Sequence, residues 1–226
     1  MPRDNISSMS EFKYTAFYDL DHTILAGNSA THLVQAARER GVMTERQFRH
    51  AIWLGILYKL NIGNPTRMIN RMLTWLKGLQ ENAIMKLSRE IFEQRIKDTI
   101  RPEILETIRE HRSKKGSVVL LSSATTPICL PVSQYLGMDE IICTRLESEN
   151  GTFTGYTLGK LVYGPDKKVR MLVFCREKNY DPREAWYYGD SITDRYVMEA
   201  VGFPVAVSPD KGLAKIARQK NWPILP

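Results

Sequence analysis

Residues 13–23 read Lys-Tyr-Thr-Ala-Phe-Tyr-Asp-Leu-Asp-His-Thr (KYTAFYDLDHT), and the break in the middle of that stretch decides the fold. Its first half, KYTAFY, has the aromatic richness of a buried strand. The run stops abruptly at Asp19, so polar side chains are delivered at the strand's C-terminal tip. In open parallel sheets ligands bind in the crevice beyond such tips. Two carboxylates two residues apart, Asp19 and Asp21, can face one site there, where a carboxylate serves as nucleophile, metal ligand or general acid. Taken alone an Asp-x-Asp pair is common, and most instances only cap a turn.

Downstream of that tip the pattern is helical. Asn28 or Ser29 caps a helix reaching about Arg40, where Gly41 supplies the stop, and Thr44 with Gln47 forms a capping-box pattern for a second helix. Pro65 and Thr66 open a third, and residues 81–97 read as a fourth. No strand pattern appears between Gly27 and Ile100, which predicts a separate all-helical unit.

After Arg101 helices and strands alternate. Pro102 suits the first position of a helix closed by Gly116, and Ser117 to Leu121 (SVVLL) is the continuous apolar run of a strand buried on both faces. A helix near 127–136 and a strand at 140–143 follow. Asn150-Gly151 between residues 145–149 and 152–158 predicts a hairpin. Then come a helix from Asp166, a strand at 185–188, a helix after Thr193 and a last strand at 204–207. Strands separated by helices imply an α/β fold with a doubly wound, Rossmann-like parallel sheet. The expected division is a core of residues 1–26 and 101–226 with residues 27–100 inserted just after the first strand.

The chain of 226 residues is long enough to bury a sizeable interior, and 43% apolar with 25% charged residues is the balance of a globular protein. A formal charge of +7 favours anionic ligands. No Lys/Arg run is long enough to single out nucleic acid. Cys129, Cys143 and Cys175 are odd in number and form no close pair, which predicts reduced thiols in a cytoplasm rather than disulfides or a zinc knuckle. MPRDNISSMS has no apolar signal core. Residues 51–60 (AIWLGILYKL) are too short to span a membrane and are expected to form a buried helix face.

Three more short signals sit just after, or shortly beyond, predicted strand ends. Ser122-Ser123 follows SVVLL, and a hydroxyl with adjacent N–H groups opening a helix makes a phosphate cradle. Lys167-Lys168 lies in the first turn of the helix after Gly164-Pro165-Asp166, where a lysine opposes the helix dipole unless an anion compensates it. Gly189-Asp190-Ser191-Ile192-Thr193-Asp194 (GDSITD) combines a glycine that lets the chain approach a ligand with two carboxylates, hard oxygen ligands suited to Mg²⁺.

The order D-x-D-x-T, strand-Ser, Lys, GDSxxD resembles the haloacid dehalogenase superfamily, over nearly the whole chain from Tyr14 to Leu225. The helical insertion and the closing stretch VAVSPDKGLAKIARQKNWPIL look like the branch that includes phosphoserine phosphatase. The resemblance implies a magnesium-dependent phosphatase with a helical cap. In it Asp19 is nucleophile and metal ligand, and Asp21 is the general acid and base that also offers Mg²⁺ its backbone carbonyl. Ser122 and Lys168 hold the phosphoryl group, Asp190 binds Mg²⁺ and Asp194 supports it; Thr23 and Ser123 join the substrate contacts. Ser123 competes with Ser122, and Lys167 with Lys168; Lys168 is preferred because its spacing to Leu172 resembles the family's K-x-x-x-L pattern.

An acid at Asp21 argues phosphatase over dehalogenase, because an alkoxide needs a proton to leave and a halide does not. Phosphoserine phosphatases resemble one another in carrying Glu nine residues after the nucleophile; here that position is Asn28, and an amide cannot neutralise a substrate's ammonium ion. Arg67 and Arg71, four apart on one helical face, can meet an anionic substrate or pair with nearby acids. Trp53, Tyr58 and Trp75 fall to the cap's inner face or to its core. The expected substrate is a small phosphorylated metabolite. A phosphotransferase or mutase sharing the first step, and a non-catalytic protein binding RNA or acidic lipid, are the alternatives.

Overall fold

Tyr14–Tyr18 (β1) lies inside a six-stranded sheet, flanked by Gly116–Thr125 (β2) on one side and Trp186–Gly189 (β6) on the other. The computed structural model describes residues 12–59 and 64–226. Outside β2 lies Glu140–Thr144 (β3); outside β6 lie Phe203–Val207 (β7) and the short Ile224–Leu225 (β8). Every pairing in this sheet is parallel. In chain order its strands run third, second, first, fourth, fifth, sixth across the sheet, the doubly wound arrangement. Leu146–Glu149 (β4) and Thr152–Thr157 (β5) form a separate antiparallel hairpin.

Side-chain alternation along the strands builds two cores. Ala16, Tyr18, Val118, Leu120, Tyr188 and Val205 face one side, and Phe17, Val119, Leu121, Tyr187 and Ala206 face the other. Helices Pro102–Ser113 (α5) and Thr126–Leu136 (α6) cover the first side with Ile104, Ile108, Ile128 and Val132. Pro165–Lys178 (α7), Arg195–Met198 (α8) and Lys211–Gln219 (α9) cover the second with Met171, Phe174, Val197 and Leu213. Burial on both faces is why these strands read as unbroken apolar runs.

Between β1 and α5 the described chain is helical: Ser29–Glu39 (α1), Glu45–Lys59 (α2), Pro65–Leu73 (α3) and Glu81–Ile91 (α4). Asn28 caps α1, and Thr44 and Gln47 exchange capping bonds of 3.3 and 2.9 Å ahead of α2. Exit and return run side by side, since Ala26 N donates to Thr99 O and Arg101 N to Ile24 O. The block's apolar residues, among them Leu33, Ile84 and Ile91, are continuous with the first core of the sheet. The β4–β5 hairpin is stitched to it, with Gly78 N donating to Phe153 O, Phe153 N to Leu79 O and Glu81 N to Gly151 O.

Several expectations change in detail. The fourth helix ends at Ile91 and continues as a wide π-type turn over Phe92–Ile96 and a tight turn over Lys97–Thr99, which keeps Ile91, Phe92 and Ile96 all buried. β2 runs to Thr125 rather than Leu121, with a register shift after Ser122. Of residues 51–57 only Leu54 is buried; Ile52, Trp53 and Ile56 are exposed, because α2 meets its neighbours α1 and α3 along one narrow face. Trp75 is buried, whereas the side chain of Tyr58 lies outside the described residues, as does Leu60. Among the described residues no helix is long and apolar enough to cross a membrane.

Candidate active site

The register of the sheet brings the motifs together. Tyr18 pairs with Leu120 of β2 and with Tyr188 of β6, so the chain beyond all three strand tips emerges at one place. Asp19 N donates to Tyr188 O, which fastens the first motif beside the fourth. Beyond β1 the chain turns sharply, with His22 in the left-handed region at φ 60° and Leu25 N donating to Leu20 O at 2.9 Å.

Asp19, Asp190 and Asp194 each offer a carboxylate oxygen within 4.8 Å of the others. Lys167 Nζ lies 3.0 Å from Asp19 Oδ1 and 2.7 Å from Asp194 Oδ1. Asp194 Oδ1 also accepts from the hydroxyl of Tyr187 at 2.8 Å, and the Asp194 carboxylate closes a capping box with Ser191. Thr23, fully buried, points its hydroxyl at Asp190 Oδ1 at 3.5 Å. Gly189 makes the close packing feasible, since a Cβ there would sit 2.7 Å from Asp194 Oδ2 and from the Tyr187 ring.

This geometry puts Lys167, not Lys168, beside the acidic trio. Lys167 is 3% exposed, whereas Lys168 is only half-buried and, among the described residues, no hydrogen bond or ion pair involves it. The reason is helical phase: α7 buries Lys167, Met171, Phe174 and Cys175, spaced four, seven and eight residues along one stripe. Lys168 shares a stripe with Leu172, which is exposed.

The other predicted residues fall in three places. Ser122 is buried at the end of β2, where its Oγ accepts from Ala124 N at 3.2 Å; Ser123 is half-buried. The Asp21 carboxylate stands apart from the acidic trio and faces the start of α1, accepting from Ser29 N at 2.7 Å and from Asn28 Nδ2 at 3.4 Å. Arg67 and Arg71 are exposed on α3, with no acidic partner among the described residues.

Tyr187 escaped the sequence reading. Its signal was a tyrosine amid an apolar strand, whose hydroxyl must find a partner when buried. Asp210 escaped too: it caps α9 through Leu213 N and accepts from Ile192 N at 2.8 Å, while its own N–H donates to Asp190 O, so it braces the GDSITD turn.

The electrostatics show a shortage of positive charge. Burial, with the charges of Asp19 and Asp194, pushes Asp190 up to about 8 despite Lys167 nearby. Burial and the Asp194 charge raise Asp19 to about 6 against the pull of Lys167. Burial alone would lower Lys167, yet Asp19 and Asp194 hold it above its ordinary value. Asp19 Oδ1 is buried, and its contact with Lys167 Nζ is an ion pair rather than an aligned hydrogen bond. Three carboxylates around one ammonium form a donor set that fits a hard divalent cation.

The family is settled by the chain's match to the haloacid dehalogenase-like hydrolase model over residues 16–199. The chain belongs to the haloacid dehalogenase-like hydrolases. Among curated hydrolases and their relatives it is similar to the inhibition of morphological differentiation protein of Streptomyces azureus, at 29% identity over 93% of this chain and 77% of that protein. It is also similar to a histidinol-phosphatase of Neisseria meningitidis, at 26% identity over 94% and 98%. A Bordetella pertussis structure of unknown function shares the fold with a TM-score of 0.87 at 22% identity, covering 95% and 99% of the two chains. A phospho-aspartyl intermediate analogue of phosphoserine phosphatase shares it with a TM-score of 0.69 at 19% identity, covering 95% and 93%. For this hydrolase chain the structural likenesses concern the fold, and they agree with the parallel sheet described above.

Proposed function

We propose that this hydrolase is a Mg²⁺-dependent phosphatase of small phosphorylated metabolites that works through a phosphoaspartate on Asp19. The observation that carries the proposal is the Asp19–Lys167 ion pair at a strand tip inside a trio of carboxylates. Names of relatives support the class of substrate: histidinol-phosphatase for one, phosphoserine phosphatase for another.

Asp19, Asp190 and Asp194 would hold the cation, with the backbone carbonyl of Asp21 completing the protein's share. Bound there, Mg²⁺ would lower the repulsion between a carboxylate and a phosphate dianion. Lys167, in the place first given to Lys168, adds a fixed positive charge on the other side, and Ser122 donates a hydrogen bond to a phosphoryl oxygen. Asp19 attacks phosphorus as the ester P–O bond breaks, and Asp21 passes its proton to the departing oxygen. In the second half Asp21 takes a proton from water, whose oxygen attacks phosphorus and breaks the Asp19–P bond, releasing inorganic phosphate. Phosphoryl transfer asks the protein mainly for positioning and charge neutralisation, and that is what these groups offer.

Residues 27–100 are read as a cap on the core of 1–26 and 101–226. Covering the site would exclude water and select the leaving group. Thr23 and Ser123 line the phosphate end in this reading, and Arg67 and Arg71 meet an anionic part of the substrate.

The test is release of inorganic phosphate from an aryl phosphate with and without Mg²⁺. Asp19→Asn should lower kcat by about 10⁴-fold or more, as loss of a nucleophile does. Acid-quenched Asp21→Asn protein should carry a phosphoryl group on the peptide containing Asp19. Normal turnover by Asp19→Asn would remove the mechanism.

A further inference from the structure

Asn28 occupies the position where phosphoserine phosphatases carry a glutamate, yet both ends of its amide are already engaged. Its backbone is extended, at φ −100° and ψ 116°, and its Oδ1 accepts from Thr31 N at 3.1 Å as the N-cap of α1. The Thr31 hydroxyl donates to the same oxygen at 3.3 Å. A backbone N–H can only donate, so the oxygen must face Thr31 and the NH₂ group must face the other way. There it donates to Asp21 Oδ2 at 3.4 Å, while Ser29 N donates to Asp21 Oδ1 at 2.7 Å. Each oxygen of Asp21 thus has one donor, both supplied by the first residues of α1. The carboxylate also sits before the positive end of the helix dipole.

We infer that Asn28 is a positioning residue for Asp21, locking the carboxyl group in the orientation that serves the leaving-group oxygen, and is not the contact for a charged group of the substrate. The inference rests on the phosphatase reading of Asp21. A general acid must hold its proton within hydrogen-bond reach of the departing atom, and its rotamer is fixed by the groups that support it. The side-chain type follows from the same geometry. A carboxylate at 28 would still cap Thr31 but would bring like charge against Asp21 Oδ2; serine would cap and offer no amide donor. The amide satisfies the helix and the acid together. An enzyme that used position 28 to neutralise an ammonium ion would need a charge there that this arrangement excludes.

Leaving-group dependence separates this role from capping and from substrate binding. An aryl phosphate expels a weakly basic phenolate that needs little protonation, whereas an alkyl phosphate expels an alkoxide that needs the acid fully. The assay compares wild type, Asn28→Ser and Asn28→Asp, each in Mg²⁺ buffer, on p-nitrophenyl phosphate, glycerol phosphate and phosphoserine, with melting temperatures recorded alongside. Asn28→Ser should lower the ratio of alkyl to aryl kcat/KM by about tenfold, a fraction of what a general acid contributes, because kcat/KM reads only the half-reaction in which Asp21 protonates the leaving group. Asn28→Asp, whose cap is intact, should lower the ratio at least as far.

An equal drop in kcat/KM on both esters, or an unchanged ratio in both variants, overturns the inference, since a structural cap would act on both rates alike. A KM that rises only for an ammonium-bearing ester such as phosphoserine, with kcat intact, also overturns it and makes Asn28 a substrate contact. Failure of the wild-type protein to release phosphate from either ester overturns the phosphatase reading and this inference with it.

Discussion

Lys167 and Lys168 are adjacent in sequence and about 100° apart around α7, and that rotation separates a buried ammonium between two carboxylates from a half-buried side chain. Lys167→Ala should therefore lower kcat/KM by about 10²–10³ or more, the usual cost of removing a preorganised charge from a reacting centre. Lys168→Ala should stay within about twofold, as substitutions outside such networks do. Parallel kinetics on the two variants decide it; a larger loss in Lys168→Ala would reverse the assignment. That Lys167 is the buried lysine was legible by counting back from the apolar stripe of Met171, Phe174 and Cys175. A local motif spacing to Leu172 pointed the other way, because short spacings carry no phase relative to the sheet. Three of the four motif groups were legible because they stand at or near the C-terminal ends of β1, β2 and β6, and the fourth because it opens α7. Tyr187 was not, since nothing in AWYY tells which of two tyrosines faces Asp194; strand parity settles that only once the sheet's two sides are known.

At the scale of elements, the contact between α5 and the sheet holds a titrating group away from the site. His111 of α5 is 4% exposed, with Nδ1 2.8 Å from the hydroxyl of Tyr14 on β1 and Nε2 2.9 Å from that of Tyr188 on β6. The rings of Tyr18 and Trp186 also pack against it edge-on. Burial lowers His111 to about 4; Glu110 on its own helix pulls the other way, and Lys114 adds to the lowering. The unfolded chain binds a proton near the ordinary histidine value of about 6.5, so between there and about 4 it holds more protons than the native state. Stability from the neutral imidazole is then fully present above the higher value and lost as pH falls toward the lower, about 3 kcal/mol in all. Urea unfolding of wild type and His111→Gln at pH 7 and pH 4 checks this. The wild type should lose about 3 kcal/mol more than the variant over that interval, and parallel losses would contradict it. Most of these elements were legible from period and turn chemistry, as at Asn150-Gly151, where φ values of 50° and 75° match the turn expected. The π-type turn at Phe92–Ile96 and the two-residue β8 were not. The first is set by tertiary packing, and the second is too short to show a period.

Across the whole molecule, two apolar cores hold a sheet whose tips gather three acids around one lysine. That arrangement costs the metal-free protein stability, because buried like charges repel and each has lost its water. A cation that binds the native state and not the unfolded chain adds RT ln(1 + [L]/Kd), about 2.7 kcal/mol at a hundredfold excess over Kd. For a chain of this size that corresponds to a rise in melting temperature of roughly 5–10 °C. Chelator-treated protein titrated with Mg²⁺ should show it in thermal melts, without any substrate. Asp190→Asn isolates the cause, since it removes one acid from the trio while keeping nearly the same shape. Its metal-free form should melt about 2–4 °C above the metal-free wild type, equivalent to about 1 kcal/mol of relieved repulsion. Its gain on adding Mg²⁺ should fall to near zero, because the remaining carboxylates are paired with Lys167. If Asp190→Asn instead lowers the metal-free melting temperature and keeps the Mg²⁺ gain, the trio is a structural ion network and not a cation site. The two signs are opposite, so one set of melts on two proteins distinguishes a site that trades stability for metal binding from one that only holds the strand tips together.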